Sequence, residues 1–596
     1  MRPISSSKKP EFNTGTNGKT TIINIFSVLI ILAVAGYFYA FVYRNAINAP
    51  FFDDFAYLEY ILKFLEAPDF LSFCGLFLDK HNGHGVMTAK IAFWIDYIIE
   101  GQVNYRHLII ASSALVFAIF AYFLRIFHKN GLSIAFAIPV ALFLFNPAYH
   151  ENIFWAASSW QYTASFVAGI LMFVFLTGRS SWSFILAIVF GFITTYTNGN
   201  GLVGFLVAII IPLIKQKYWR AGIWLLAVII TGVIFYWYYP YGMGSSKGHE
   251  TAAFFRTLIS FLGAGARYLR AATMDVIILG IFLVGAIGAL LVRVGLDYLT
   301  QFNIQVTNGK VLKMLRRPSF NLSLLALIVW LFVTGLGTAW TRGSDDFSAA
   351  LRFMIYSVMS IIVLYTSMII ILPSRYKIWL CVLGTLAGAV FQLGSYLYAA
   401  PEVINFRNSL WADVYNLKNH GRVSGKVESM NNTVLARHFD QSVRSRIYVF
   451  PETPIPDTDE KLKAIASPII NNSNKFTITR DTLPSYFGIL ITSISNEKIK
   501  LDESDPTNSI FIALKDVKTN KIHLFAAKPT VNNNRNRFIK ERNHFNEGIT
   551  ASVYAENVQP GWYTIGVLTL TNKTPSLYFT DQQVEIRKIA RIAKYE

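Results

Sequence analysis

Residues 21–43 read TIINIFSVLIILAVAGYFYAFVY, an apolar run without a single charged residue. A helix rising 1.5 Å per residue needs about 20 such residues to cross roughly 30 Å of hydrocarbon. The run is too long for the core of a cleavable leader, and no small-residue cleavage site closes it, so it reads as an uncleaved first span. The polar stretch before it carries Lys8, Lys9 and Lys19, which predicts a basic cytoplasmic tail over residues 1–20.

Further apolar runs fall near 108–127, 132–147, 161–177, 182–197, 201–214, 222–239, 274–292, 321–340, 353–372 and 378–398. With the first they predict an α-helical polytopic membrane protein of about eleven transmembrane helices, two of the runs being short for a full crossing. The composition agrees, since 53% of the 596 residues are hydrophobic and only 15% are charged, too apolar for an ordinary soluble domain. No comparable run follows Leu397. The chain therefore divides into a transmembrane domain over 21–400 and an extramembrane domain over 401–596, of roughly 200 residues and large enough to hold its own core.

The formal charge of +19 is spread in a way that argues for topology and against nucleic acid. With the N-terminus inside, every second loop is basic: Lys129, Arg179, Lys215 with Lys217 and Arg220, the segment holding Arg293, Lys310, Lys313, Arg316 and Arg317, and Arg375 with Lys377. Residues 251–272 carry Arg256, Arg267 and Arg270 and read as an amphipathic helix at the outer interface, because counting them as a crossing would put the basic 293–317 segment outside. An odd number of spans then places 401–596 outside the cytoplasm. There the pattern turns to short alternating runs, Ser445–Phe450, Tyr486–Ser493, Ser509–Leu514, Ile522–Ala527, Ile549–Tyr554 and Trp562–Leu570, broken by turn residues. They predict an extracytoplasmic β-sandwich, a structural cap or an accessory glycan-binding module. The two cysteines, Cys74 and Cys381, lie in a loop and in an apolar run, and no thiol or zinc chemistry is indicated in the C-terminal domain.

Unusual polar residues gather in the outside loops. The first external loop, 45–107, contains Phe-Phe-Asp53-Asp54-Phe and Asp79-Lys-His81-Asn-Gly-His84. Adjacent carboxylates among phenylalanines at a membrane interface have reason for one raised pKa, which suits a general base, although Asp also caps helices. His81 and His84, with Asp79, have the i, i+3 spacing of one helical face; they read as phosphate or cation contacts, or as ordinary hydrogen-bonded histidines, two histidines being fewer ligands than a zinc site needs. Arg342 and Arg352 bracket a later outside loop, where a planar guanidinium can grip a phosphate or pair with Asp345 and Asp346. Glu151, in the loop with Trp155 and Trp160, is a further acid or sugar contact, and the tryptophans serve sugar stacking or the interfacial aromatic belt.

These features resemble the GT-C class of integral membrane glycosyltransferases, which use polyprenyl-phosphate sugars. That class has many spans, a large first external loop with an acidic pair (here Asp53-Asp54) and often an external C-terminal domain. A group of bacterial GT-C proteins is similar in its Asp-Asp-Phe start, His-Asn-x-His segment (81–84), Glu-Asn-x-x-Trp segment (151–155) and Asn-Gly turn after a Thr-rich helix end (194–201). It also shares an Arg-Gly loop at Arg342 and a helix start from Arg352 to Tyr356; where an Arg-Tyr pair is more usual, this chain has Arg352-Phe353. The resemblance implies an inverting hexosyl transfer from a polyprenyl-phosphate donor to a cell-envelope glycan or similar acceptor, at the outer face of the cytoplasmic membrane. It implies Asp53 or Asp54 as catalytic base, Arg342 and Arg352 on the donor phosphate, and His81, His84, Glu151, Trp155 and Asn198 as substrate contacts. Some enzymes of the class need no metal and others use a divalent cation (Mg or Mn) on the phosphate; both stay open. The rival reading is a transporter or flippase of lipid-linked glycans, which predicts ionisable residues within the spans. Few are present, Asp275 and Arg352 standing at span ends.

Overall fold

A computed structural model describes residues 18–81, 85–238, 251–270, 273–301, 320–342, 351–423, 433–467, 475–483, 489–532, 534, 540–541 and 543–587. Most of the basic tail, His84, Asp345 and Asp346 lie outside the described residues.

Eight helices are long and apolar enough to cross a membrane: Thr21–Asn45, Tyr105–Lys129, Ala156–Leu176, Tyr218–Trp237, Met274–Leu296, Leu322–Arg342, Leu351–Ile371 and Ser374–His420. The other three expected crossings fall in shorter apolar helices within Ile134–Tyr149, Ser181–Thr197 and Asn200–Ile214. The first span is α1 (Gly18–Asn45), and it packs on the segment 134–144 and on Tyr105–Lys129. Residues 251–263 form a helix, as expected, but they do not lie apart. Leu258, Phe261 and Leu262 are buried, and a Cβ on Gly263 would stand 1.9 Å from the Val276 carbonyl oxygen, one on Gly280 2.1 Å from that of Ile259. Only glycine permits that approach between the two backbones.

The first external loop is helical, which its sequence did not announce. It holds α2 (Asp54–Glu66), α3 (Phe70–Leu78) and α4 (Met87–Glu100), then turns through left-handed Gly101 into α5 (Tyr105–Lys129). The Asp69 carboxylate caps α3 by accepting from the Ser72 backbone N–H at 2.7 Å, as a helix start requires. No residue of α3 is buried although it reads FLSFCGLFL; Phe70 and Leu71 are more than 80% exposed. An apolar helix of this kind belongs against lipid rather than water. Behind it Phe64, Phe73, Phe77 and Trp94 form an aromatic cluster with ring centroids 4.6–5.4 Å apart.

The composition shift at Pro401 is not a break in the chain. One helix of 47 residues, Ser374–His420, runs through it with Pro401 inside. Its far end lies on the first of two sheets, β1-β9-β8-β4-β5 and β2-β3-β7-β6, where β1 is 466–467, β2 477–483, β3 489–496, β4 509–516, β5 522–526, β6 528–531, β7 545–554, β8 561–571 and β9 574–586. Period-2 alternation sorts the side chains. Ile510, Ile512 and Leu514 of β4 share a buried cluster with Ile549, Ala551 and Val553 of β7 in the other sheet. Phe511 and Ala513 face the opposite way, onto Leu410, Trp411 and Val414 of the long helix. Both faces of β4 are thus buried, which accounts for its unbroken apolar sequence. The Asn416 side chain extends the match by donating to the Leu524 carbonyl at 2.7 Å and accepting from the Leu524 N–H at 3.0 Å.

The expected strand 445–450 joins neither sheet. It runs back to the first external loop, where the Val103 N–H donates to the Ile447 carbonyl at 2.7 Å and Tyr448 donates to the Asn48 carbonyl at 3.1 Å. The helix before it, Thr433–Arg444, packs on α2 through Phe439 and Phe55, and His438 stands 3.3 Å from Glu59. The C-terminal part of the chain therefore braces the loop that carries the acidic pair.

Candidate functional site

The two aspartates at the start of α2 have opposite surroundings. Phe52 takes a positive φ of 48°, a region costly for a bulky residue, and this turn sends Asp54 inward while Asp53 stays at the surface. Asp54 is 1% exposed. One carboxylate oxygen accepts from the Phe51 N–H at 3.0 Å and the other from the Ala157 N–H at 2.9 Å. It thereby ties the loop to the first turn of the span Ala156–Leu176. Burial pushes its carboxyl well above the usual range, against the pull of those two N–H groups. Asp53 has a 40% exposed side chain, and its Oδ1 lies 3.3 Å from His81 Nε2. The acidic pair therefore does not offer two carboxylates to one cation, since Asp54 is committed to the backbone.

His81 does not sit on a helix with His84, because α3 ends at Leu78. It is held in the turn after α3, its ring 5.7 Å from that of Tyr57 and 6.3 Å from that of Tyr60. Gly85, just beyond, lies so close to the end of the helix Ser181–Thr197 that a Cβ there would meet the Tyr196 carbonyl at 2.5 Å. This brings the 81–85 segment beside the Asn198 turn. Asn198 closes that helix, with its N–H donating to the Thr194 carbonyl at 3.2 Å. Its Nδ2 is buried with no hydrogen-bond partner among the described residues. Asn200 donates to the Tyr356 hydroxyl at 2.9 Å, and its carbonyl accepts from the Trp330 indole at 2.9 Å.

Glu151 starts a one-turn helix and is mostly buried. Burial raises its carboxyl above the usual range, opposed by the guanidinium and the backbone N–H of Arg352. Trp155 is 8% exposed and is already covered by Phe51, at 5.6 Å and 88°, and by Phe52, at 5.8 Å and 39°. It is a wall of the site rather than an open stacking platform. Arg342 closes the span Leu322–Arg342, and Arg352 opens the span that follows. Tyr162 feels the charges of Arg352, Arg342, Glu151 and Asp53 together. Residues more than 280 positions apart in sequence thus converge on one face at the ends of the spans.

Four neighbours of this cluster carry no local sequence signal. The Tyr268 hydroxyl donates to Glu402 Oε2 at 2.6 Å, and His150 Nε2 stands 3.6 Å from the same oxygen. Arg267 acts on His150, Glu151 and Tyr268. Burial holds the His150 imidazole below its ordinary value, with Glu402 pulling the other way. Arg267 and Tyr268 reach the site because the preceding turn is fastened to the span that begins with Arg352: the Gly265 N–H donates to Ser357 Oγ at 2.9 Å.

Among the described residues, Asp96, Glu100 and His107 are grouped closely enough to hold a metal ion. Their partners are local: Asp96 accepts from the Asn104 N–H at 2.6 Å, and Glu100 meets His107 directly. This group closes the α4–α5 turn.

No family model, no curated protein and no solved structure matches the chain.

Proposed function

We propose that the chain is a membrane glycosyltransferase that moves a sugar from a polyprenyl-phosphate donor to a cell-envelope glycan or similar acceptor. It works at the outer face of the cytoplasmic membrane, with eleven crossings and with the two sheets forming a β-sandwich on the same side. The observation that carries this reading is the meeting of Asp53, Glu151, Arg342 and Arg352 around Tyr162, at the ends of spans. A lipid-held donor presents its reactive carbon at headgroup depth, so groups acting on it must stand at that level.

Asp53 takes the catalytic role, because its carboxylate faces outward while that of Asp54 is spent on the backbone. Asp53 removes the proton from an acceptor hydroxyl as its oxygen bonds to the anomeric carbon. The bond from that carbon to the phosphate oxygen breaks with inversion, and the electron pair leaves with the lipid phosphate. Arg342 and Arg352 stabilise that departing charge. Holding both reactants in place supplies much of the rate.

The test is sugar transfer in purified membranes supplied with radiolabelled polyprenyl-phosphate hexoses. Labelled glycan from the wild type, lost in Asp53→Asn, supports the reading; no transfer from any donor brings the transporter reading forward.

A further inference from the structure

Lys90, in the second turn of α4, is 0% exposed, and nothing in the proposed mechanism uses it. A lysine is rarely buried so fully without partners, because desolvating an ammonium costs several kcal/mol. Here every direction of the ammonium is occupied. Nζ donates to the carbonyls of Leu76 and Asp79, each at 2.7 Å, and lies 3.7 Å from the centre of the Tyr60 ring. The first carbonyl belongs to the last turn of α3, where helix carbonyls lack internal partners and carry partial negative charge. The Tyr60 hydroxyl, on α2, donates in turn to the Lys80 carbonyl at 2.7 Å. The peptides on either side of Lys80 are thus gripped from both flanking helices, and the next residue is His81, which faces Asp53 at 3.3 Å.

We propose that Lys90 is a positioning residue: it pins the end of α3 through two carbonyl hydrogen bonds and so holds His81 against Asp53, without touching any reactant itself. The role of Asp53 as base rests on the functional reading above, but the placement of His81 does not. Burial holds the Lys90 ammonium down to about 7, with Asp79 pulling it up and Lys63 pushing it down. A neutral amine still has two N–H donors for the two carbonyls and loses only the charge that strengthens them and faces Tyr60. The grip therefore weakens with rising pH without opening.

The test uses the full chain in nanodiscs, with Cys74 and Cys381 replaced by serine. Cysteines replace Asp53 and His81, and a short bis-methanethiosulfonate reagent bridges them. Removing the direct pair in this way leaves proximity dependent on the turn alone. Bridging is expected to slow about tenfold in Lys90→Met, as two hydrogen bonds are lost, and to recover in Lys90→Arg. Tyr60→Phe, which deletes only the hydroxyl on Lys80, is the milder variant and is expected to slow bridging severalfold. Unchanged bridging in Lys90→Met, or in Tyr60→Phe should the first variant fail to accumulate, overturns the proposal and leaves Lys90 as a simple helix cap. On the otherwise wild-type chain, Lys90→Met is expected to lower kcat with the donor KM unchanged. Absence of transfer by the wild type removes the glycosyltransferase reading, while the bridging rates still decide the role of Lys90.

Discussion

Replacing each aspartate of the pair by asparagine separates chemistry from architecture. In Asp53→Asn the lost ion pair with His81 is largely at the surface, so stability should change by less than about 1 kcal/mol. If Asp53 is the base, kcat should fall about 10²–10⁴-fold, equivalent to about 2.7–5.5 kcal/mol in the barrier. Asp54→Asn has the reverse signature. Its carboxylate accepts two backbone N–H bonds, from Phe51 and Ala157, and an amide presents one acceptor and one donor. One buried N–H is left facing another donor, at a cost of about 1–3 kcal/mol. Because burial raises the folded Asp54 carboxyl above its unfolded value of about 3.9, its contribution is full below that pH and declines as pH rises through the folded value. The gap in apparent Tm between wild type and Asp54→Asn should therefore narrow from pH 4 to pH 8. The assays are labelled-sugar transfer in membranes and thermal unfolding in detergent across that range. An active wild type whose Asp53→Asn variant keeps full activity, or an Asp54→Asn variant that loses transfer at wild-type Tm in every buffer, would refute the division of labour.

Burial and the neighbouring His420 ring hold the His523 imidazole down to about 3. Its contribution to folding is complete above the unfolded value of about 6.5 and is lost as pH falls toward the folded one. Hydrogen exchange in β5 should speed up between pH 7 and pH 4, and His523→Phe should flatten that response. Gly201→Ala places a Cβ 2.0 Å from the Thr194 carbonyl, and the forced shift of the Asn198 turn should cost about 1–3 kcal/mol, read as a lower apparent Tm. A spin label at position 71 of α3, introduced as Leu71→Cys, should collide more with oxygen than with an aqueous nickel complex; the opposite ratio means that α3 faces water.

The membrane half was legible because span length is a property of the local sequence. Eight of the eleven expected runs are helices long enough to cross. The other three form shorter helices that break at places such as Asn198 and Gln216, the latter with a φ of 55°. Most strands were legible through alternation and turn residues, while 445–450 shares the alternation and pairs instead with Val103. Adjacency of Asp53 and Asp54 pointed to a site but not to which carboxylate turns inward. That is decided by the Ala157 N–H, 103 positions away. Glu402, Tyr268 and His150 went unread for the same reason: Tyr268 and Glu402 meet across 134 positions, and neither lies in a distinctive local pattern.

The helix Ser374–His420 gives the molecule a lever. At 1.5 Å per residue its 47 residues span about 70 Å, from the apolar run to the β4–β5 side of the first sheet. Pro401 has no N–H to give to the Leu397 carbonyl, so the rod has one weak point along its length. A bend of about 10° there would carry the His420 end about 5 Å, given the rise per residue. The fulcrum is not neutral ground, because Glu402 and Phe406 occupy the turns just past it, Phe406 stacking on Phe51 at 4.7 Å. Load applied to the sheets is therefore felt as torque beside the acidic pair.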